Sequence, residues 1–185
     1  MQSDIDRVLI SQEQIARRVR EMGAQITADH ASAAADGGEI TIVPVLTGAM
    51  IFAADLIRHL PMRMKIGLLT VSSYPGASLR SQGASVIAKQ LGDLAGRHVL
   101  LVDDILDSGG TISVVRSLLE TLGPASVKTC VLLRKDRPEA LATPADYVGF
   151  DIPDEFVVGY GLDYDNYYRN LPEIVTLKGH VTGAQ

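Results

Sequence analysis

The chain reads as an α/β protein with an open, mainly parallel, twisted sheet and helices on both faces. Three observations predict this. Ile40–Leu46, Val99–Val102 and Val127–Leu133 are short apolar runs bounded by turn residues, too short for buried helices and suited to buried parallel strands. Segments between them carry apolar residues at helical spacing. Strands and helices alternate along the chain, the pattern of a sheet wound on both sides.

Taken in order, Ser11-Gln12-Glu13-Gln14 fits a capping box, with Ser11 as N-cap and Gln14 three positions on. Ile15, Val19, Met22 and Ile26 then mark one face of a helix running toward Ala35, which Asp36-Gly37-Gly38 is expected to end. Ile40 to Leu46 forms a buried strand, closed by a turn at Thr47-Gly48. The next helix carries Ile51, Phe52, Leu56 and Leu60 until Pro61. Met62 to Ser73 reads as one long strand, and Val86 to Leu91 as its antiparallel partner. Between them Tyr74 to Gly83 is polar and rich in Gly and Ser, with little to anchor it. Strands at Val127–Leu133 and Tyr147–Phe150 follow, and Gly179 to Gln185 is expected to be a loose tail. Without internal repeat or linker, residues 1–185 read as a single domain, and 46% hydrophobic content supplies a full core.

Bulk properties exclude several classes. The net charge is −5 and no Lys/Arg cluster is present, which argues against nucleic acid as a partner. No apolar run approaches the roughly 20 residues that span a bilayer, and the first residues hold Asp4, Asp6 and Arg7 with no secretory h-region. A soluble, cytoplasmic protein without a membrane partner is expected. The single Cys130 lies in an apolar run and reads as core, so no disulfide framework exists. His30, His59, His98 and His180 show no metal-ligand spacing.

The most informative stretch is Val99 to Thr111, V-L-L-V-D-D-I-L-D-S-G-G-T. An apolar strand ends in Asp103 and Asp104, then Asp107 opens the small-residue turn Ser108-Gly109-Gly110-Thr111. Ile112, Val115, Leu118, Leu119 and Leu122 recur at helical spacing beyond it, until Gly123-Pro124. A strand, a glycine turn and a helix N-terminus form an anion site, because free N–H groups and the helix dipole point at the ligand. Carboxylates cannot themselves hold a phosphate; they suit sugar hydroxyls or a Mg²⁺ ion carried in by a polyphosphate. Acids beside such a cradle point to a phosphorylated sugar. Ligands in doubly wound sheets sit at the carboxyl ends of strands, where these acids fall.

This string resembles the 5-phosphoribosyl-1-pyrophosphate (PRPP) signature of type I phosphoribosyltransferases. The C-terminal third narrows the resemblance. Leu132-Leu133-Arg134-Lys135, the run from Asp146 through Phe156-Val157-Val158-Gly159-Tyr160-Gly161-Leu162-Asp163 to Tyr164, and Arg169-Asn170-Leu171-Pro172 are similar to the hypoxanthine-guanine phosphoribosyltransferases, over roughly residues 40–178. The resemblance implies the type I fold with a small hood over the base, formed mainly by residues 150–178, and a mobile loop at 73–84 that includes Ser73 and Tyr74. It implies purine salvage: transfer from PRPP to hypoxanthine or guanine, giving IMP or GMP and pyrophosphate.

Residue by residue, the same resemblance implies that Asp107 is the catalytic acid/base facing purine N7. Asp103 and Asp104 would hold the ribose hydroxyls, directly or through Mg²⁺, Asp107 would join them among the PRPP- and nucleotide-binding residues, and Ser108, Gly109, Gly110 and Thr111 would cradle the 5′-phosphate. Lys135 would donate to the 6-oxo group, Phe156 stack on the ring, and backbone groups of Val157 and Asp163 meet the 2-position. The Asp163 carboxylate would face a second Mg²⁺. Thr47, Gly48 and Arg169 would bind pyrophosphate, with Leu46–Thr47 the position of a cis peptide in the family. A homodimer or homotetramer is the implied assembly.

Residue chemistry supports the base-reading part. Lysine has donors and no acceptor, so it meets a 6-oxo oxygen and leaves a 6-amino group unpaired. Three positions depart from the family pattern. Thr47 stands where many members have Lys or Arg, Gly110 where some are basic, and Asp103 where Glu is common. Two rivals remain at this level: another acceptor (xanthine, or a pyrimidine, which the hood sequence argues against) and a non-catalytic PRPP-binding regulator of RNA. A basic face is expected of the latter, and this chain shows none.

Overall fold

The computed structural model describes residues 1–30, 39–72 and 85–183. Strand β1 (Ile5–Ile10) leads into helix α1 (Gln12–Asp29), and β2 (Ile40–Leu46) into α2 (Met50–Ile57). Strands β3 (Met64–Ile66), β4 (Leu68–Ser72), β5 (Ser85–Gln90) and β6 (His98–Leu106) follow, then α3 (Gly110–Glu120) and β7 (Ser126–Lys135). The chain continues through α4 (Pro138–Ala142), β8 (Tyr147–Ile152), β9 (Val157–Val158), β10 (Ile174–Leu177) and α5 (Gly179–Thr182).

Seven strands make the main sheet in the order β5-β4-β2-β6-β7-β8, with β3 also on β2. All its pairings are parallel except β4 with β5. Alternation along β6 shows why helices cover both faces. Leu100 and Val102 pack with Ile15, Val19 and Met22 of α1 and with Phe52 and Leu56 of α2. Val99 and Leu101 point the other way, onto Ile112, Val115 and Leu119 of α3. Period-2 side chains give one strand two apolar faces, and all four residues are fully buried.

Helix α1 opens as the sequence predicts: the Ser11 hydroxyl accepts from Gln14 N and the Gln14 side chain accepts from Ser11 N. It ends earlier than expected, at Asp29. The last core-facing residue is Ile26, whose carbonyl accepts both the His30 N–H at 3.1 Å and, at 2.9 Å, the His30 ring Nδ1. The stretch around Ala35 lies outside the described residues. The long strand expected over Met62 to Ser73 is interrupted at Gly67, which has no side chain to pack. Its two halves keep one register on β2, Ile42 opposite Ile66 and Val45 opposite Leu69.

A second, three-stranded antiparallel sheet runs β1-β10-β9. Its strands β9 and β10 lie within residues 150–178, where the hood is expected, and Val158, Val175 and Leu177 of these strands are buried together with Leu171. β1 pairs antiparallel with β10 and so joins this sheet from the N-terminal side of α1. Gly179–Thr182, expected as part of a loose tail, is a helical turn. No described helix is long and apolar enough to cross a membrane.

Candidate active site

The acids fall where β6 runs past its last pairing with β2, at Val102, while still pairing with β7. Asp103 is 4% exposed and Asp104 half-buried. The Asp103 carboxylate accepts from Asp104 N at 3.0 Å, and that of Asp104 from Ile105 N at 2.9 Å. Burial, then the neighbouring Asp104 charge, pushes the Asp103 carboxyl well above the usual range. Burial also raises Asp104, against the pull of these hydrogen bonds and of Arg169.

Beyond them the turn feeds α3. Gly109 is its N-cap at φ +80°, and a side chain there would strike Thr143. Only glycine meets both demands. No side chain caps α3, which leaves the N–H groups of its first turn without a capping side chain, the arrangement that suits an anion.

Asp107 meets Lys135. Leu106 pairs with Arg134 across β6 and β7, which sets the next residues, Asp107 and Lys135, beside each other. Lys135 Nζ is 3.4 Å from Asp107 Oδ2 and 3.2 Å from Asp154 Oδ1. Lys135 is buried, as lysines are when paired.

A second chain of contacts joins hood and sheet. The Leu46–Thr47 peptide is cis. A side chain on Gly48 would strike the Asp104 carboxylate, and one on Gly161 (φ +109°) would strike the Gly48 carbonyl. Arg169 Nη1 donates to Gly161 O at 2.7 Å, and its Nη2 forms an ion pair with Asp163 Oδ1 at 2.7 Å. Thr47, Gly48, Asp104, Gly161, Asp163 and Arg169 therefore occupy one continuous seam. Val157 is buried in β9, while Phe156 is 51% exposed and meets Tyr164 edge-on at 5.7 Å. Ser73 and Tyr74 lie outside the described residues.

Residues 9–165 match the family description of the phosphoribosyl transferase domain. The chain is 46% identical over 182 residues to the hypoxanthine-guanine phosphoribosyltransferase of Mycobacterium avium, covering 96% of this chain and 88% of that one. Identity to the Streptococcus pneumoniae protein of the same name is 39%, covering 98% of each. The crystal structure of a Staphylococcus aureus hypoxanthine phosphoribosyltransferase superposes with a TM-score of 0.88 at 38% identity, covering 98% of this chain and 96% of that one. This chain belongs to the hypoxanthine-guanine phosphoribosyltransferase family.

The family's need for a divalent ion can be tested against the acids present. Among the described residues no three acid, His or Cys side chains converge as a metal cage. Mg²⁺ is commonly held by one or two carboxylates plus substrate phosphates. Asp103 and Asp104, adjacent carboxylates both raised by burial, with Asp104 raising Asp103 further, fit such an ion, and Asp163 at the other side of the seam would hold a second.

Sequence reasoning missed two members of this phosphoribosyltransferase site, Arg137 and Asp154, both within 4.0 Å of the Asp107–Lys135 pair. Arg137 lies two residues past Lys135, and alternation along an extended chain brings it to the same side. That spacing was the available signal.

Proposed function

We propose that the protein is a purine-salvage enzyme, transferring the phosphoribosyl group of PRPP to N9 of hypoxanthine or guanine. The products are IMP or GMP and pyrophosphate. One observation supports this most: a lysine only 9% exposed, fixed between two carboxylates beside an uncapped helix N-terminus. A buried donor with no acceptor capacity suits a 6-oxo oxygen, and the adjacent cradle suits a 5′-phosphate.

In this reading the C1′–oxygen bond to pyrophosphate breaks as the C1′–N9 bond forms. Ser108 to Thr111 hold the 5′-phosphate through backbone N–H groups. Asp103 and Asp104 hold the ribose hydroxyls, or would hold a Mg²⁺ ion that does so; Asp163 would hold a second. Bound Mg²⁺ supplies positive charge to the departing pyrophosphate oxygens. The Thr47-Gly48 amides and the Arg169 guanidinium stabilise the same charge. Asp107 takes the proton from purine N7 as N9 bonds and returns it in the reverse direction. Phe156 covers the ring face, and Val157 and Asp163 backbone groups meet the 2-position. The sheet and hood act as one catalytic unit, assembled as a homodimer or homotetramer in the cytoplasm; light scattering tests the assembly.

The experiment is incubation with PRPP, Mg²⁺ and each purine in turn. IMP and GMP formation is expected. XMP as the sole product reassigns the acceptor to xanthine, and no nucleotide from any base removes the enzymatic reading.

A further inference from the structure

Asp107 holds two cations, one on each oxygen. Arg137 Nη1 donates to Oδ1 at 2.9 Å, and Lys135 Nζ lies 3.4 Å from Oδ2. Asp154 answers from the other side, 3.2 Å from Lys135 Nζ and 4.0 Å from Arg137 Nη1. Two acids and two bases thus form a closed ring at the carboxyl edge of β6 and β7. Purine capture, in the reading above, asks Lys135 to leave Asp107 for the 6-oxo oxygen while Asp107 turns to N7. Each then needs another partner. The ring holds both: Arg137 for Asp107, and Asp154 for Lys135.

We propose that Arg137 is a positioning residue for base capture, keeping Asp107 engaged when Lys135 transfers to the purine. The inference rests on the 6-oxopurine reading of the site. Local structure fixes Arg137 for this task. It is the N-cap of α4, in extended conformation at φ −144° and ψ 149°, and Pro138 holds the next turn. Its Nε lies 3.3 Å from Glu139 Oε2, which orients the guanidinium. Five N–H donors in a fixed fork let one arginine serve Glu139 and Asp107 together. Without Arg137, Lys135 is the cation left on Asp107 among the described ion pairs. The incoming oxygen must then break a tighter pair, so base affinity falls while PRPP, held elsewhere, binds as before.

The test compares Arg137→Ala and Arg137→Lys for kcat, for the KM of hypoxanthine and of PRPP, and for IMP affinity by calorimetry. IMP affinity is also measured with Asp107→Asn as background. Arg137→Ala is expected to raise the hypoxanthine KM and weaken IMP by about tenfold, the size of one partly exposed charge-assisted hydrogen bond. The PRPP KM stays put, Arg137→Lys recovers most of the loss, and in Asp107→Asn the effect of Arg137→Ala on IMP disappears. An unchanged hypoxanthine KM, an equal rise for PRPP, or an IMP loss that persists in Asp107→Asn overturns the proposal. If the wild-type protein forms no nucleotide, the salvage reading fails, and the IMP cycle alone then decides the role of Arg137.

Discussion

Asp103 works against the stability of the fold it belongs to. Its carboxyl is raised by burial and by Asp104, so the folded state resists its ionisation. A group whose folded pKa exceeds its unfolded value favours folding below the unfolded pKa, here 3.8, and that advantage is lost as pH rises through the folded value. Asp103→Asn keeps an acceptor for Asp104 N and removes the penalty. In chelator, its melting temperature should exceed wild type at pH 7–8 and converge with it near pH 4; PRPP binding should weaken. Equal melting temperatures at both pH values count against a buried ionised acid. Asp107→Asn should lower kcat by about 10²–10⁴-fold, the range of general acid–base catalysis, with IMP still bound; steady-state kinetics and calorimetry read the two effects. At this scale the sequence was informative because the acids, turn and lysine lie in short strings of unusual composition. Arg137 was hidden because an arginine two residues past a strand end is ordinary until its partner, thirty positions away, is placed beside it.

Among elements, the approach of the hood to the turn after β2 depends on two glycines facing each other. A methyl group on Gly161 would meet the Gly48 carbonyl at a φ of +109° that L residues avoid. Tyr160 adds a tether, its hydroxyl donating to Asp55 Oδ2 of α2 at 2.7 Å. Gly161→Ala should therefore push the segment around Gly161 away from the Thr47-Gly48 turn, destabilising the protein by about 1–3 kcal/mol and, on the proposed function, raising the KM for PRPP; denaturant melts and kinetics check it. Strands β2, β6 and β7 were legible, since burial on both faces leaves mainly apolar runs, as at residues 99–102 and 130–133. The hood strands were not. β1 reads Ile-Asp-Arg-Val-Leu-Ile and is mostly exposed, and β9 has two residues. Neither carries a period of its own; both exist because β10 is there to pair with.

For the molecule as a whole, that pairing joins residues far apart in sequence. β1 lies antiparallel to β10, from Ile5 opposite Leu177 to Ile10 opposite Ile174. Lys178 adds a backbone bond to Asp4 O at 2.9 Å and a side-chain bond to Ser3 O at 2.8 Å, the latter spanning 175 positions. Deleting residues 1–10 should leave the main sheet folded but expose the outer edge of β10. Hydrogen exchange at Ile174–Leu177 should accelerate while β6 and β7 stay protected, and turnover should drop with the purine KM rising most. Synthesis runs from N- to C-terminus, so β1 leaves the ribosome long before β10, the strand it pairs with. A nascent chain can own a finished sheet and every donor-side acid yet remain open above the base site. Closure of the β1–β10 sheet then waits until well after β6 and β7 have been made.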